Sequence, residues 1–306
     1  MMFCGKNRVF LMTLTLAAGM SVSTVCTQLQ AQKNESFKIT ATTIAKILGD
    51  ESIKSHEGRD FQILRATKKV KNAKGTLKFY LQGALHGDET LGADFVAWFA
   101  KRLEGSVTND ITSTEGYSVQ IDMLTIANPD GYERRSRTNA RGINLNRNFS
   151  VLWGMTREFP GVSPASEKET VAIQKLMAKE SYLAAVDVHG YTNWVVAPSD
   201  LRYSDKSSKY SQRQKLMYED WFQSLNRLVA GVQNYELKTA SALGDGGAFE
   251  DWAYWANGTF AFCLELSHRE RVTKEEDLFP KYEKKIASMF DEAIRIYQKK
   301  NLWAWQ

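Results

Sequence analysis

The chain has 306 residues, of which 43% are hydrophobic and 25% charged, the proportions of an ordinary globular protein. Its 40 Lys and Arg residues only slightly outnumber its 35 Asp and Glu residues, and a net charge of +5 is not the basic excess of a nucleic-acid binder, so we expect no nucleic-acid partner. Three cysteines exclude a disulfide framework, and five prolines exclude collagen-like and low-complexity classes.

The first 31 residues have the pattern of a secretory signal peptide. Lys6 and Arg8 precede an apolar run at 9–18 that is too short to span a bilayer, and a polar stretch follows. We expect cleavage after Ala31, export to the periplasm or the cell exterior, and one catalytic domain over 32–306 with no stable membrane span. Lipid attachment at Cys26 and an uncleaved anchor are the alternatives. No oligomer signal is visible, so a monomer is the default expectation.

Beyond the leader, apolar runs alternate with segments of helical periodicity, which indicates an α/β fold whose sheet has parallel pairs and helices on both faces. In chain order, the predicted strands are 61–65, 77–85, 119–126, 183–188 and 259–266. The predicted helices are 91–103, 166–179, 211–232 and 283–299. The basic segment 68–75 is predicted to be a hairpin-like connection, and Asn-Pro-Asp-Gly at 128–131 a turn.

Two histidines and a glutamate at strand ends are candidate metal ligands. His86 and Glu89 lie three residues apart after the strand 77–85, and Gly87 between them is expected to help the backbone turn. His189 follows the strand 183–188. A catalytic zinc site holds three nitrogen or oxygen donors and keeps one position open, which this set would satisfy. Each motif is weak alone, because His-x-x-Glu arises by chance and a lone His at a strand end is commonly structural.

A third strand and a basic loop carry further polar groups. Glu265 interrupts the apolar run 259–266, where a carboxylate is costly to bury unless it has a partner or a function. It is either half of a buried ion pair or a general base that takes a proton from metal-activated water. The loop 134–147 contains five arginines. It is either a solvated basic loop or a site where Arg beside Asn holds a carboxylate and a second Arg stabilises an oxyanion.

Together these motifs resemble the zinc carboxypeptidase family, the metallocarboxypeptidases of the pancreatic carboxypeptidase type, over about 61–297. The elements occur in the family's order: His-x-x-Glu, Asn-Pro-Asp-Gly, Asn-Arg-Asn-Phe at 146–149, the second His, Asp-Trp-x-Tyr at 251–254, and the strand Glu. The resemblance implies a single-domain mixed eight-stranded sheet sandwiched between helices. It also implies one Zn²⁺ ion held by His86, Glu89 and His189.

The resemblance also implies roles for residues around the metal. Glu265 matches the general base, and Asn146 with Arg147 matches the pair that binds the terminal carboxylate of a peptide substrate. Arg137 matches the arginine that stabilises the oxyanion, and Arg141 is the competing candidate. Glu250 falls near the position that lines the specificity pocket, where an acid would favour an amine-bearing side chain. The alternative is that Glu250 is a surface residue before a buried Asp.

The chain departs from the family pattern in two places. Asn144 stands where the family has the Asp that orients the first ligand histidine. An amide oxygen can accept that hydrogen bond without supplying charge, so zinc affinity is expected to fall. The segment 241–247 has no Tyr, although it aligns with the segment that carries the mobile Tyr of pancreatic-type members. The shorter bacterial members that act on cell-wall peptides look similar in this respect and in the compact run 139–142.

The implied activity is that of a zinc-dependent exopeptidase, which hydrolyses a peptide or amide bond near a free carboxylate. Peptidoglycan stem peptides are the favoured substrate, because diaminopimelate offers both a carboxylate and an amine. The alternatives are a peptide-processing carboxypeptidase with a preference for basic C-termini, a deacylase of N-acyl amino acids, and an inactive relative that binds peptide termini. The remaining histidines, His56 and His268, are expected to have no role, and His56 is expected to be exposed.

Overall fold

Eight strands form one mixed sheet in the computed structural model, which describes residues 36–106, 111–204, 209–230, 235–266 and 275–299. The predicted signal peptide, Cys26 and His268 lie outside the described residues. The strands are β1 (Lys38–Thr43), β2 (Gln62–Lys68), β3 (Thr76–Gly83), β4 (Ser118–Leu124), β5 (Ala184–Gly190), β6 (Trp194–Ala197), β7 (Glu236–Thr239) and β8 (Phe260–Leu266). Their order in the sheet is β1-β2-β4-β3-β5-β8-β6-β7.

Eight α-helices accompany the sheet in the described part of the chain. They are α1 (Ile44–Leu48), α2 (Thr90–Leu103), α3 (Pro129–Arg134), α4 (Lys168–Glu180), α5 (Gln212–Val229), α6 (Ala240–Leu243), α7 (Phe249–Trp255) and α8 (Glu275–Lys299). Short 3-10 turns lie at Thr112–Thr114 and Leu145–Arg147. None of the helices in the described ranges is both long and apolar enough to cross a membrane.

Helices cover both faces of the sheet, as the sequence predicts. Adjacent residues of β3 point to opposite faces, because side chains alternate along a strand. Phe79 stacks on Phe290 of α8 with ring centroids 4.2 Å apart, whereas Tyr80 packs on the other face near Phe249 of α7, at 6.3 Å. The predicted mixed eight-stranded sheet between helices is therefore confirmed.

The predicted hairpin between β2 and β3 is wrong. The connection 68–75 joins two strands that do not pair, because β4 lies between them. β4 runs antiparallel to β2 and parallel to β3. The connection therefore crosses one strand of the sheet instead of closing a tight turn.

The central strands β3, β5 and β8 are neighbours and run parallel, so their carboxyl ends meet at one edge of the sheet. Every residue of β5 is buried, including Asp187 and His189, which fits a central parallel strand covered on both faces. Because these two residues are two apart, their side chains share one face. The topology thus brings the polar strand ends to one place.

Gly87 allows the turn that follows β3 to approach the segment 128–131, because a Cβ on Gly87 would lie 2.1 Å from the carbonyl carbon of Gly131. Gly131 in turn allows the close approach of Thr138, since a Cβ on Gly131 would lie 2.5 Å from the backbone oxygen of Thr138. The φ of Gly87 is not in the left-handed region, so its role is close backbone approach instead of the expected freedom to turn.

Candidate metal centre

His86, Glu89 and His189 converge at the carboxyl ends of β3 and β5. His86 lies in the turn after β3, Glu89 is the N-cap of α2, and His189 lies near the end of β5. Nδ1 of His86 is 2.9 Å from Oε1 of Glu89, and Nδ1 of His189 is 2.8 Å from Oε2 of the same carboxylate. All three side chains are buried, and one donor atom from each lies within 4.8 Å of the others. They are therefore a group that could hold a metal ion.

The outer nitrogens of both histidines face oxygen acceptors. Nε2 of His86 is 3.0 Å from Oδ1 of Asn144, and Nε2 of His189 is 2.8 Å from Oδ2 of Asp187. Because oxygen acceptors face both Nε2 atoms, we assign the proton of each ring, when it is neutral, to Nε2. The lone pair of each ring is then on Nδ1. The two Nδ1 atoms are 3.1 Å apart beside the Glu89 carboxylate. Two imidazole nitrogens and a carboxylate oxygen with converging lone pairs fit a zinc ion.

Acidic neighbours set the protonation of this group. Burial alone would lower the pKa of His189, but Asp187 and Glu89 raise it well above its ordinary value. Burial lowers the pKa of His86. Burial opposes ionisation of Glu89, yet the two histidines lower its pKa. A cation is therefore favoured here, because the two acids supply negative charge in a site with little solvent. Sequence reasoning missed Asp187, although an acid two residues before His189 in an apolar strand was a usable signal.

Of the two candidate arginines, only Arg137 reaches this group. Its Nη1 is 3.0 Å from Nδ1 of His86 and 3.1 Å from Oε1 of Glu89. Arg141 does not join it, because its Nη1 is directed to Oε1 of Glu167 at 3.4 Å and its side chain is 47% exposed. The placement favours Arg137 over Arg141 for contact with an oxyanion at the metal.

Glu265 lies beside the metal group on β8, in register with His189 of β5. Its Oε2 is buried and has no hydrogen-bond partner among the described residues. Burial raises the pKa of Glu265 to about 7, although the nearby His189 lowers it. A carboxyl group with this pKa can both accept and return a proton near neutral pH.

Asn146 and Arg147 lie in the 3-10 turn that follows the basic loop, and both are buried. Oδ1 of Asn146 accepts a hydrogen bond from the backbone N–H of Phe249 at 2.8 Å. Nη2 of Arg147 donates to Oε1 of Glu158 at 3.0 Å and to Oδ1 of Asp245 at 2.5 Å. The predicted carboxylate-binding arginine is therefore already paired with two acids, neither of which the sequence analysis singled out.

Glu250 lies in the first turn of α7 and is only 2% exposed, so the alternative of a surface residue is wrong. Burial, together with Asp251 and Asp187, raises its pKa well above the ordinary value, and His189 opposes that rise. Its Oε2 has no partner among the described residues. The neighbouring Asp251 is satisfied, since it accepts hydrogen bonds from the backbone N–H and the hydroxyl of Ser199. Glu250 is thus a buried acid with one unpartnered oxygen, and it lies close enough to His189 to interact with it electrostatically.

A second cluster, formed by His56, Glu167 and Glu169, is bound by the side-chain amide of Asn139, although Oε1 of Glu169 is buried without a partner among the described residues. His56 is not the exposed residue that was expected: its side chain is 18% exposed, and Nε2 is 3.1 Å from Oε2 of Glu167. The amide Nδ2 of Asn139 donates to Oε2 of Glu167 at 2.8 Å and to Oε2 of Glu169 at 3.2 Å. Because amide hydrogens already face both carboxylates, this cluster is poorly arranged for a cation.

Comparison with known proteins places the chain among carboxypeptidases. A family model described as zinc carboxypeptidase matches residues 38–288. The chain is 24% identical over 238 residues to carboxypeptidase D of Anas platyrhynchos, covering 68% of this chain and 16% of that protein. It is 23% identical over 241 residues to human carboxypeptidase A6, covering 70% of this chain and 53% of that protein. The chain thus spans no more than about half the length of these relatives.

Solved structures share the fold at low sequence identity. The crystal structure of thrombin activatable fibrinolysis inhibitor superposes with a TM-score of 0.64 at 16% identity, over 90% of this chain and 74% of that chain. Murein-tripeptide amidase MpaA from Escherichia coli O157 superposes with a TM-score of 0.51 at 18% identity, over 86% of this chain and 95% of that chain. Because the family model spans far more than half of the residues, this chain belongs to the zinc carboxypeptidase family.

Proposed function

We propose that this protein is a zinc-dependent exopeptidase that hydrolyses the peptide or amide bond next to a residue with a free carboxylate. The observation that carries the proposal is the convergence of His86, Glu89 and His189, with Glu265 in register beside His189. Family membership supports the same chemistry. An inactive, merely peptide-binding relative would have no need of this complete set.

The chain's own residues have distinct tasks in this proposal. Zinc at such a site activates water and polarises a carbonyl group. Glu265 takes the proton of the attacking water and then returns it to the leaving amine, as its pKa of about 7 allows. Arg137, beside the ligand group, stabilises the negative charge that develops on the carbonyl oxygen. Asn144 and Asp187 hold the ligand histidines in position.

The substrate end is recognised by charge. Arg147 and Asn146 bind the terminal carboxylate and so fix the scissile bond relative to Glu265. Glu250 is a buried acid whose Oε2 has no partner among the described residues, and it would pair with an amine on the terminal residue. A terminal residue with both a free carboxylate and a side-chain amine could therefore bind Arg147 and Asn146 through the first group and Glu250 through the second.

We propose peptidoglycan stem peptides as the source of that residue, because diaminopimelate carries a side-chain amine and free carboxylates. One observation supports this choice over a basic protein C-terminus. The segment 241–247 lacks a Tyr, as in shorter bacterial members of the family. Export through the signal sequence at 1–31, or lipid attachment at Cys26, would bring the enzyme to the cell wall.

The test is to incubate the zinc-loaded protein with four substrate classes and to identify products by mass. These are muropeptides, peptides ending in Lys or Arg, peptides ending in Phe, and N-acyl amino acids. Cleavage of muropeptides next to diaminopimelate is expected. Release of C-terminal residues from basic peptides alone would reject the cell-wall substrate, and hydrolysis of N-acyl amino acids alone would reject the exopeptidase.

A further inference from the structure

Glu158 lies inside the site that the proposed function assigns to the substrate's carboxylate. Its Oε1 accepts a hydrogen bond from Nη2 of Arg147 at 3.0 Å, and its Oε2 accepts one from Nδ2 of Asn144. Oε2 is also 3.5 Å from Nε of Arg137. Burial opposes ionisation, but Asn144, Arg147 and Arg137 lower the pKa of Glu158. An ionised side chain therefore contacts both arginines that the substrate is expected to use.

Arg147 has too few accessible N–H groups for a further carboxylate. A guanidinium has five N–H donors, and a bidentate contact needs two that lie side by side. The two donors on Nη2 face Glu158 and Asp245, at 3.0 and 2.5 Å. Nη1 donates to the backbone oxygen of Asn146 at 2.8 Å, and Nε is buried with no partner in the described ranges. A substrate carboxylate can be bound at two donors only when one of the acids leaves Nη2.

Glu158 is the acid that can leave. Asp245 lies on a turn whose backbone packs tightly: a Cβ on Gly246 would lie 2.3 Å from the backbone oxygen of Leu152, and one on Gly247 would lie 2.2 Å from that of Arg147. The side chain of Glu158 is 41% exposed, against 29% for Asp245. Its loop presents other residues to solvent, including Phe159 at 60%. The Glu158 carboxylate can thus move into water without disturbing packed backbone.

We propose that Glu158 is a specificity-determining residue that occupies the carboxylate site of the free enzyme and is displaced by the terminal carboxylate of the substrate. The inference rests on the proposed function, since it requires that Arg147 receives a carboxylate. A neutral end, such as a carboxamide, cannot replace an ionised group here, because the buried Arg147 would then exchange one of its two acidic partners for an uncharged group and keep only Asp245. Glu158 therefore makes the enzyme more selective for substrates with a charged terminal carboxylate. It also lowers the affinity for those substrates, because it competes with the carboxylate for Arg147.

The kinetic test compares the zinc-loaded wild type with Glu158→Ala and Glu158→Gln on a peptide with a free C-terminal Lys. KM is expected to fall about 3–10-fold in Glu158→Ala, the scale of a few partly exposed ion pairs, with kcat within about twofold. Glu158→Gln is expected to be intermediate. Glu51→Gln, an exposed acid in the turn after α1, is the control and should not change KM. An unchanged KM in Glu158→Ala overturns the proposal.

A rise in KM for the Lys peptide, without a rise for a peptide ending in Ala, would also overturn the proposal, because Glu158 would then bind the substrate's amine.

Calorimetry with Nα-acetyl-lysine and its carboxamide tests the inference without turnover. Glu158→Ala should bind the acid about 3–10-fold more tightly and the carboxamide no better. If the wild type cleaves neither the Lys peptide nor a muropeptide, the proposed function fails. Equal affinities of the wild type and Glu158→Ala for the acid overturn the displacement of Glu158 instead. If Glu158→Ala loses zinc while its affinity for the acid stays unchanged, the proposal is also wrong. Glu158 would then serve to position Asn144, which orients His86.

Discussion

Nε2 of His86 donates a hydrogen bond to Oδ1 of Asn144 at 3.0 Å, and the amide nitrogen of Asn144 donates to Glu158 on its other side. The family resemblance implies an Asp at this position. An Asp could accept from the histidine but could not donate to Glu158, and two carboxylates in contact would repel each other. Asn144 therefore keeps the hydrogen bond that orients His86 and also binds the carboxylate of Glu158 through its amide nitrogen.

Asn144→Ala should raise the Kd for zinc by roughly 10–100-fold, because His86 loses the acceptor that fixes its ring and its tautomer. Competition with a chelating dye measures this affinity. Asn226→Ala, an exposed change in α5, is the matched control. An Asn144→Ala protein that binds zinc as tightly as the wild type would show that the acceptor does not orient His86.

Glu265→Gln should reduce kcat/KM by at least about 10²–10⁴ while zinc content stays unchanged, because the amide cannot accept the proton. Metal analysis and steady-state kinetics on the same preparation separate binding from chemistry. Glu236→Gln, at the exposed first residue of β7, should keep full activity. Turnover retained by Glu265→Gln would remove Glu265 from the role of base.

Glu250→Gln should change the preference among terminal residues. Loss of the acid is expected to lower kcat/KM for an amine-bearing residue by roughly tenfold or more and to leave neutral residues less affected. The ratio of kcat/KM for peptides ending in Lys and in Ala measures the effect. A ratio that stays the same in the variant would mean that Glu250 does not face the substrate.

Stability at acid pH should depend on Glu292. A hydrogen bond from Arg295, with support from Ser224 and Arg227, lowers its pKa to about 2. A lowered pKa stabilises the folded state above the unfolded value of about 4.5, and this contribution is lost as pH falls towards 2. The difference in urea midpoint between wild type and Glu292→Gln should therefore shrink from pH 5 to pH 2. A difference that stays constant over this range would contradict the assignment.

The central strands could be predicted from the sequence because buried strands consist of runs of apolar residues. The candidate metal ligands could be predicted from their residue types. The runs at 183–188 and 259–266 are apolar enough to identify core strands, and the structure places them in β5 and β8. His86, Glu89 and His189 are predicted as metal ligands because metal chemistry restricts the residue types that can serve. Their convergence then follows from the parallel pairing of β3 with β5.

Other features depend on distant partners and leave no local pattern. β6 and β7 have four residues each, too few to show a periodicity. β4 lies between β2 and β3 in the sheet. The local sequence of each strand does not indicate which other strands it pairs with, so this order could not be predicted. Glu158 and Asp245 are 11 and 98 residues from Arg147 in the chain, so their contacts with it appear only in three dimensions.

The most direct test of the central claim compares two peptides that differ only at the C-terminus, one with a free carboxylate on Lys and one with a carboxamide. With zinc-loaded protein, the account predicts release of a single Lys from the first peptide, no cleavage of the second, and loss of the activity when zinc is chelated. Equal cleavage of both peptides, cleavage at internal bonds, or activity that survives removal of zinc would contradict it.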